Sequence, residues 1–218
     1  MPKIDFRQTD KLDDIPGIRG QLLSKIKSGE YFGYKVSKLS DIKPVDLKKL
    51  PTETYLTITL TRGSQYSREE VAKVAEEFMK KTGVVGILAG SYRRLKKFVN
   101  DIDIVSTDYT SINPSENIKI IRSGLLKVKL LYRPNKSDEF YPIDILFTTP
   151  ERYPFALMHF TGSKEFNIHM SKHAIGMGYR LSQLGLFKNE TLVKGIKSEK
   201  DIFKALKLPY RPPEKRNI

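Results

Sequence analysis

Asp101 and Asp103 stand two apart in the apolar run Asp101-Ile102-Asp103-Ile104-Val105. Residues i and i+2 of a strand share a face, so the spacing predicts two carboxylates that project together. Carboxylates held side by side repel, and they are costly to bury unless a cation neutralises them. Oxygen-only ligands suit a hard ion such as Mg2+, which keeps several waters and also binds substrate phosphates. Just upstream, the apolar run Val84 to Ala89 ends in Gly90-Ser91, followed by a basic loop with Arg93 and Arg94. Such a corner offers backbone N–H groups and a hydroxyl to a phosphate. Asp144 lies in another apolar stretch, Tyr141-Pro142-Ile143-Asp144-Ile145-Leu146-Phe147, where a carboxylate needs a reason. The reason offered is that it sits beside the first two and shares a metal. A lone Asp-x-Asp is usually a solvated strand edge, and a lone Gly-Ser is usually a turn. Their combination points to metal-assisted phosphoryl or nucleotidyl transfer.

The elements that must position these groups are readable in outline. Ser67-Arg68-Glu69-Glu70 has the form of a capping box, and Val71, Val74, Ala75, Phe78 and Met79 follow at helical spacing. Gly83 stops that helix. Residues 84–90, 102–106, about 125–132 and 140–147 read as strands, with polar turns around Asn113-Pro114 and Pro134-Asn135. One helix and four strands predict an α+β layer. Residues 1 to about 65 read as a small helical unit whose end, Thr54 to Leu60, alternates as a short strand. Within it, Gly17-Ile18-Arg19-Gly20 opens a helix that carries Lys25, and its free N–H groups suit a backbone phosphate. From Tyr153 the chain turns helical again. Phe166, Met170, Ala174 and Met177 form a buried stripe, and Tyr179 to Phe187 reads as strand and turn. His169 and His173 have a zinc-compatible spacing without an evident third ligand, so they read as surface or phosphate-facing imidazoles.

The chain has 218 residues, enough for one or two modest domains. Lys and Arg outnumber Asp and Glu by 39 to 25, a net +14 that favours a polyanionic partner. No apolar run approaches a membrane span and no basic amphipathic helix stands out, so nucleic acid is preferred to a membrane. The absence of cysteine excludes disulfides, thiolate catalysis and Cys-based zinc sites. The polar start Met1-Pro2-Lys3 carries no secretory pattern, which predicts an intracellular protein, with the compartment left open. Nothing signals an oligomer, and a monomer is expected.

The Gly-Ser corner, the Asp-x-Asp strand and the later strand aspartate together resemble the nucleotidyltransferase superfamily. Within it, Gly90-Ser91-Tyr92-Arg93-Arg94 is similar to the family X DNA polymerases of the polymerase beta type. His159-Phe160-Thr161-Gly162-Ser163-Lys164-Glu165-Phe166-Asn167 resembles the thumb motif of that family, with His159 in place of a tyrosine. The C-terminal segment, Leu184 to Arg216, resembles short viral members. The likeness covers residues 67–216 well and 1–66 loosely.

This resemblance implies a nucleotidyltransferase palm at 67–150, a helix-hairpin-helix fingers-like domain at 1–66 and a thumb-like domain at 151–218. It implies two Mg2+ ions, with Mn2+ able to substitute, held by Asp101, Asp103 and Asp144, the last helping to activate a primer 3′-OH. Relatives carry an Arg two residues before the third carboxylate; Pro142 stands there. Arg68, Gly90, Ser91 and Arg94 would hold a dNTP triphosphate. His159, Phe160, Gly162, Ser163 and Asn167 would meet its sugar and base. Gly17, Arg19, Gly20 and Lys25 would bind DNA. The expected activity is template-directed addition of dNMP to a primer, in short-gap repair. Alternatives are an untemplated terminal or RNA-tailing transferase and a non-catalytic DNA-binding scaffold. If the hairpin aligned instead with the lyase hairpin of larger relatives, Lys25 would be a Schiff-base nucleophile; Ser37 to Ile42 favours fingers.

Overall fold

The computed structural model describes residues 11–14, 18–51, 54, 58, 65–135, 137 and 139–218. They fall into two compact units, Met1–Ser64 and Gln65–Ile218.

In the first unit, helix α1 (Gly20–Ser28) is opened by Gly20 at φ +54° and closed by Gly29 at φ +90°, conformations that glycine adopts without the steric cost of a Cβ. Ile26 faces inward, and Leu12, Ile18, Phe32, Val36, Leu39, Ile42, Leu47, Leu50 and Ile58 complete the core. The Ser37 to Ile42 segment is a single 3₁₀ turn, Leu39–Asp41. Asp41 accepts from the backbone N–H groups of Ser37 and Lys38, both at 3.0 Å. Thr54 and Ile58 are helical, which overturns the strand expected there; the other residues of that stretch lie outside the described ones. Ile58 is fully buried at helical spacing from Thr54, so packing of an apolar face outweighs the β-leaning composition.

The second unit is α+β. Its five-stranded sheet has the order β2-β4-β7-β6-β5, where β2 is Ile87–Leu88, β4 Ile102–Ser106, β5 Ile118–Ser123, β6 Lys127–Tyr132 and β7 Tyr141–Phe147. A two-residue pair, β1 (Tyr66–Ser67) with β3 (Phe98–Val99), stands apart from it. All neighbouring pairs of the large sheet are antiparallel except β4 and β7, which run parallel at its centre. β5 was not foreseen: Ile118 to Ser123 mixes Lys and Arg with its isoleucines, and only its ladder with β6 makes it a strand. The apolar run 84–90 pairs only over Ile87–Leu88. Gly90 turns away into a four-residue helix, α3 (Gly90–Arg93), where a basic loop was expected.

Helix α2 (Arg68–Thr82) has the predicted capping box: Ser67 Oγ accepts from Glu70 N–H, and the Glu70 side chain accepts from Ser67 N–H. Gly83 closes it at φ +74°. Val71, Val74, Ala75 and Phe78 pack on one face of the sheet, against Ile102, Ile104, Ile143 and Ile145. Tyr132 and Tyr141 donate to Glu77 and Glu70 of the same helix, at 2.7 and 2.6 Å. On the opposite face, Val105 and Leu146 meet Ala156 and Leu157 of helix α4 (Tyr153–Thr161). Helix α5 (Lys164–Gly176) buries the predicted stripe Phe166, Met170 and Ala174, with Met177 packed at its edge. Strands β8 (Arg180–Ser182), β9 (Gly185–Lys188) and β10 (Thr191–Leu192) form a three-stranded sheet, and helix α6 (Glu199–Ala205) closes this core with Ile202 and Phe203. No helix of the described residues is long and apolar enough to cross a membrane.

Candidate active site

Alternation along the two central strands decides where the carboxylates go. Ile102 and Ile104 of β4, and Ile143 and Ile145 of β7, face α2; the residues between them face the other way. The parallel register then sets Asp103 directly beside Asp144. Asp101 lies in the bend one residue before β4, not inside the strand, because the ladder with β7 begins at Ile102. Burial raises the pKa of Asp103 well above the usual carboxylate range, and the charges of Asp101 and Asp144 push it further, against Lys127 and Lys129. Carboxylate charges that repel one another favour a cation, and an all-oxygen donor set fits a hard divalent ion. Among the described residues, no three acidic or imidazole side chains are gathered as a ready-made ligand set.

Two lysines that the local sequence did not single out stand against Asp144. β6 is antiparallel to β7 and sets Lys129 opposite Asp144, with Lys127 two residues away on the same face. Lys127 Nζ is 3.0 Å from Asp144 Oδ2, and Lys129 Nζ is 3.5 Å from Oδ1. Asp144 is only 8% exposed, so these ammonium groups are its immediate compensation. They supply from a neighbouring strand the positive charge that Pro142 cannot. Their alternation, Lys127-Val128-Lys129-Leu130, was the available signal.

The Gly-Ser corner presses on this pair. Ala89 N–H donates to Asp103 C=O at 2.8 Å. Gly90 has φ +53°, and a Cβ there would stand 1.9 Å from Asp103 Oδ2. Only glycine brings the backbone so close to the carboxylate. Ser91 Oγ is buried without a hydrogen-bond partner among the described residues. Arg68 donates to Tyr92 C=O and stacks on the Tyr92 ring, 4.2 Å from its centroid. Arg94 donates through Nη1 to Thr161 C=O and through Nε to Asn217 Oδ1 at 2.8 Å. Burial lowers the pKa of Arg94, while Asp103, Asp101 and Glu165 work to hold it up.

The thumb-motif residues form the far wall. Gly162 adopts φ +66°, and its peptide bond to Ser163 is cis. Ser163 Oγ caps α5 by accepting from Phe166 N–H at 3.2 Å. Asn167 donates to His159 C=O at 2.7 Å. Lys127 Nζ lies 4.9 Å from the centroid of Phe160, so one side chain links Asp144 to this wall. Desolvation of the His159 ring, and then the charge of Lys127, lower its pKa, although the residue as a whole stays exposed. His173 bonds to Leu206 C=O at 2.9 Å, a structural contact on the thumb-like core.

Beside this corner sits a second charge cluster. Arg93 holds Glu199 through two bonds, at 3.0 and 2.7 Å, and also donates to Thr161 Oγ1 at 2.7 Å. Arg216 reaches Glu199 Oε1 at 2.6 Å from a fully buried position and donates through Nε to Arg211 C=O. Burial pushes Glu199 up, but hydrogen bonds and charges from Arg93 and Arg216 outweigh it, and its pKa is lowered.

The DNA-binding residues expected in the first unit are distributed at its surface. Arg19 is the N-cap residue of α1 with no side-chain cap bond, Gly20 is exposed, and Lys25 pairs with Glu30 at 3.0 Å. Gly17 lies outside the described residues.

Residues 156–217 match the family model described as DNA polymerase beta thumb. The repair DNA polymerase X of African swine fever virus is 33% identical over 141 residues, 60% of this chain and 80% of that protein. The protein of another isolate is 31% identical over 174 residues, 73% of this chain and 99% of its own length. The DNA polymerase/3′-5′ exonuclease PolX of Bacillus subtilis is 37% identical over 137 residues, and the chain spans only 23% of that longer protein. The structure is also similar to that of Leishmania infantum polymerase beta, in a ternary P/T complex, with a TM-score of 0.68 and 21% identity over the full length of both chains. With a palm-like sheet that pairs Asp103 and Asp144 beside Gly90, and viral relatives matched over most of their length, the chain belongs to the family X DNA polymerases.

Proposed function

We propose that this chain is a compact repair polymerase that fills short gaps, adding dNMP to a primer 3′-OH under the direction of a template. The observation that carries this reading is the register that sets Asp103 against Asp144, within reach of the Gly90-Ser91 corner. Residues 1–66 act as fingers, 67–150 as palm and 151–218 as thumb, in a monomer. Asp101, Asp103 and Asp144 hold two Mg2+ ions, which supply charge neutralisation at the transferring phosphate. Gly90 and Ser91 offer backbone and hydroxyl donors to the triphosphate, and Arg68 and Arg94 add cationic ones. The primer 3′-OH gives its proton to Asp144, its oxygen attacks the α-phosphorus, and pyrophosphate leaves as its bond to that phosphorus breaks. Most of the acceleration then comes from positioning and charge stabilisation, with no covalent intermediate. His159, Phe160, Gly162, Ser163 and Asn167 meet the sugar and base. Arg19, Gly20 and Lys25 contact DNA phosphates, as part of a chain carrying +14, so affinity falls steeply with salt.

The test is extension of a primer on a one-nucleotide-gapped template, with each dNTP and each rNTP separately, with and without Mg2+. Templated, Mg2+-dependent dNMP addition is expected. Addition regardless of template, or a preference for rNTPs, would move the chain to the terminal or RNA-tailing transferases. Tight DNA binding with no addition would make it a scaffold.

A further inference from the structure

Both oxygens of Asp144 are occupied by protein cations, Oδ2 by Lys127 and Oδ1 by Lys129. A divalent ion uses the same lone pairs, and an ammonium group at 3 Å repels it. The two lysines are not equivalent. Lys129 is held directly opposite Asp144 in the ladder, with 34% of its side chain exposed. Lys127 is half exposed, at 50%, and its flexible four-carbon stem has a second seat against the face of Phe160.

We propose that Lys127 is an exchangeable counter-ion of Asp144: it neutralises the carboxylate while no divalent ion is bound, and it competes with the ion for Oδ2. On exchange the ammonium group stays over Phe160, on the wall where the nucleotide would lie. The inference rests on reading Asp101, Asp103 and Asp144 as metal carboxylates. It makes Lys127 a positioning residue. It also links two binding events. A polyanionic nucleotide that draws the freed ammonium to itself favours the exchange, so nucleotide and metal each tighten the binding of the other.

The experiment is Mn2+ titration of the full chain without DNA or nucleotide, reading free Mn2+ by electron paramagnetic resonance. Wild type, Lys127→Met, Lys127→Arg and Asp103→Asn are compared. Loss of one competing charge tightens Mn2+ binding about tenfold in Lys127→Met at low ionic strength, with the gain shrinking as salt rises. Lys127→Arg keeps the competitor and stays near wild type. Thermal melts give the second readout: without metal Lys127→Met melts below wild type, and saturating Mn2+ closes the gap. Equal or weaker Mn2+ binding by Lys127→Met overturns the proposal. If wild type binds Mn2+ no better than Asp103→Asn, the metal-carboxylate reading itself fails and the inference with it. If Asp103→Asn loses binding and Lys127→Met matches wild type, only the exchange fails.

Discussion

Two charge clusters lie on the same side of the palm-like sheet, and they are balanced differently. Around Glu199, one carboxylate meets two guanidinium groups through short, directional bonds, and Arg216 is also wrapped by Phe166, Phe203 and Tyr210. At the other, Asp144 meets two lysines, one at 3.0 Å and one at 3.5 Å, both partly exposed, and its charge and that of Asp101 act on the neighbouring Asp103. The first cluster is closed. Short bonds join its members, although Arg216 Nη2 is buried without a hydrogen-bond partner among the described residues, and the cluster ties α3, α6 and the C-terminal segment together. The second crowds carboxylate charges on one another, in a place where Asp103 is already forced toward its protonated form. An ion network joined by short, directional bonds stabilises a particular arrangement, whereas carboxylates crowded together are a place for a cation.

That contrast makes mutations in the two clusters fail in different ways. The largest effect belongs to Asp144→Ala. Incorporation should fall by at least about a thousandfold, roughly 4 kcal/mol in barrier height, while DNA affinity and the melting temperature hold. Extension and binding assays on one preparation check this, and retained incorporation would remove Asp144 from its assigned role. Glu199→Gln should do the opposite. It strands the buried guanidinium of Arg216 and the partly exposed one of Arg93, and should lower stability by about 3 kcal/mol in urea unfolding. A stability change under about 0.5 kcal/mol, the range of an ordinary surface substitution, would show that the closed cluster is not structural after all.

Gly90→Ala sits between the two regions. It forces a left-handed φ on a residue with a side chain and drives a methyl group toward Asp103. A stability cost of about 1–2 kcal/mol is expected, together with impaired extension at saturating dNTP. Full activity in a crystal or solution structure with unchanged Asp103 would contradict the close approach. The smallest effect is a pH dependence. Glu199 has a lowered pKa in the folded chain, so its contribution is complete above its ordinary value of 4.5 and is lost as pH falls through the folded value. The stability gap between wild type and Glu199→Gln should therefore narrow on acidification below that point. A gap that stays constant down to pH 2 would mean that Glu199 is not the titrating group.

Much of the open cluster was legible in the sequence, and almost none of the closed one was. Asp103 and Asp144 declared themselves as acids inside apolar strands, and the Ser67 cap and the Gly83 stop are local rules that the structure obeys. Lys127 and Lys129 escaped because a lysine on a strand usually faces water; only the register of β6 against β7 turns these two onto a carboxylate. Arg93, Glu199 and Arg216 are far apart in the chain, and each alone looks like an ordinary surface charge. The helical turn at Gly90 was read as strand end and loop because the apolar run before it suggested a longer ladder than the two residues that pair. What local chemistry determines was visible, and what depends on non-local pairing was not.

The parallel pairing of β4 with β7 also bears on how the chain reaches its active form. The two strands close a loop of about 40 residues, and closing it costs entropy that no local contact returns in advance. The β5–β6 hairpin can form early, because its strands are adjacent in the sequence. The carboxylate pair cannot: Asp103 meets Asp144 only in the step that zips the centre of the sheet. A partly folded chain therefore carries no fraction of the site. Regained incorporation during refolding should track completion of the sheet, lagging behind the return of helical signal.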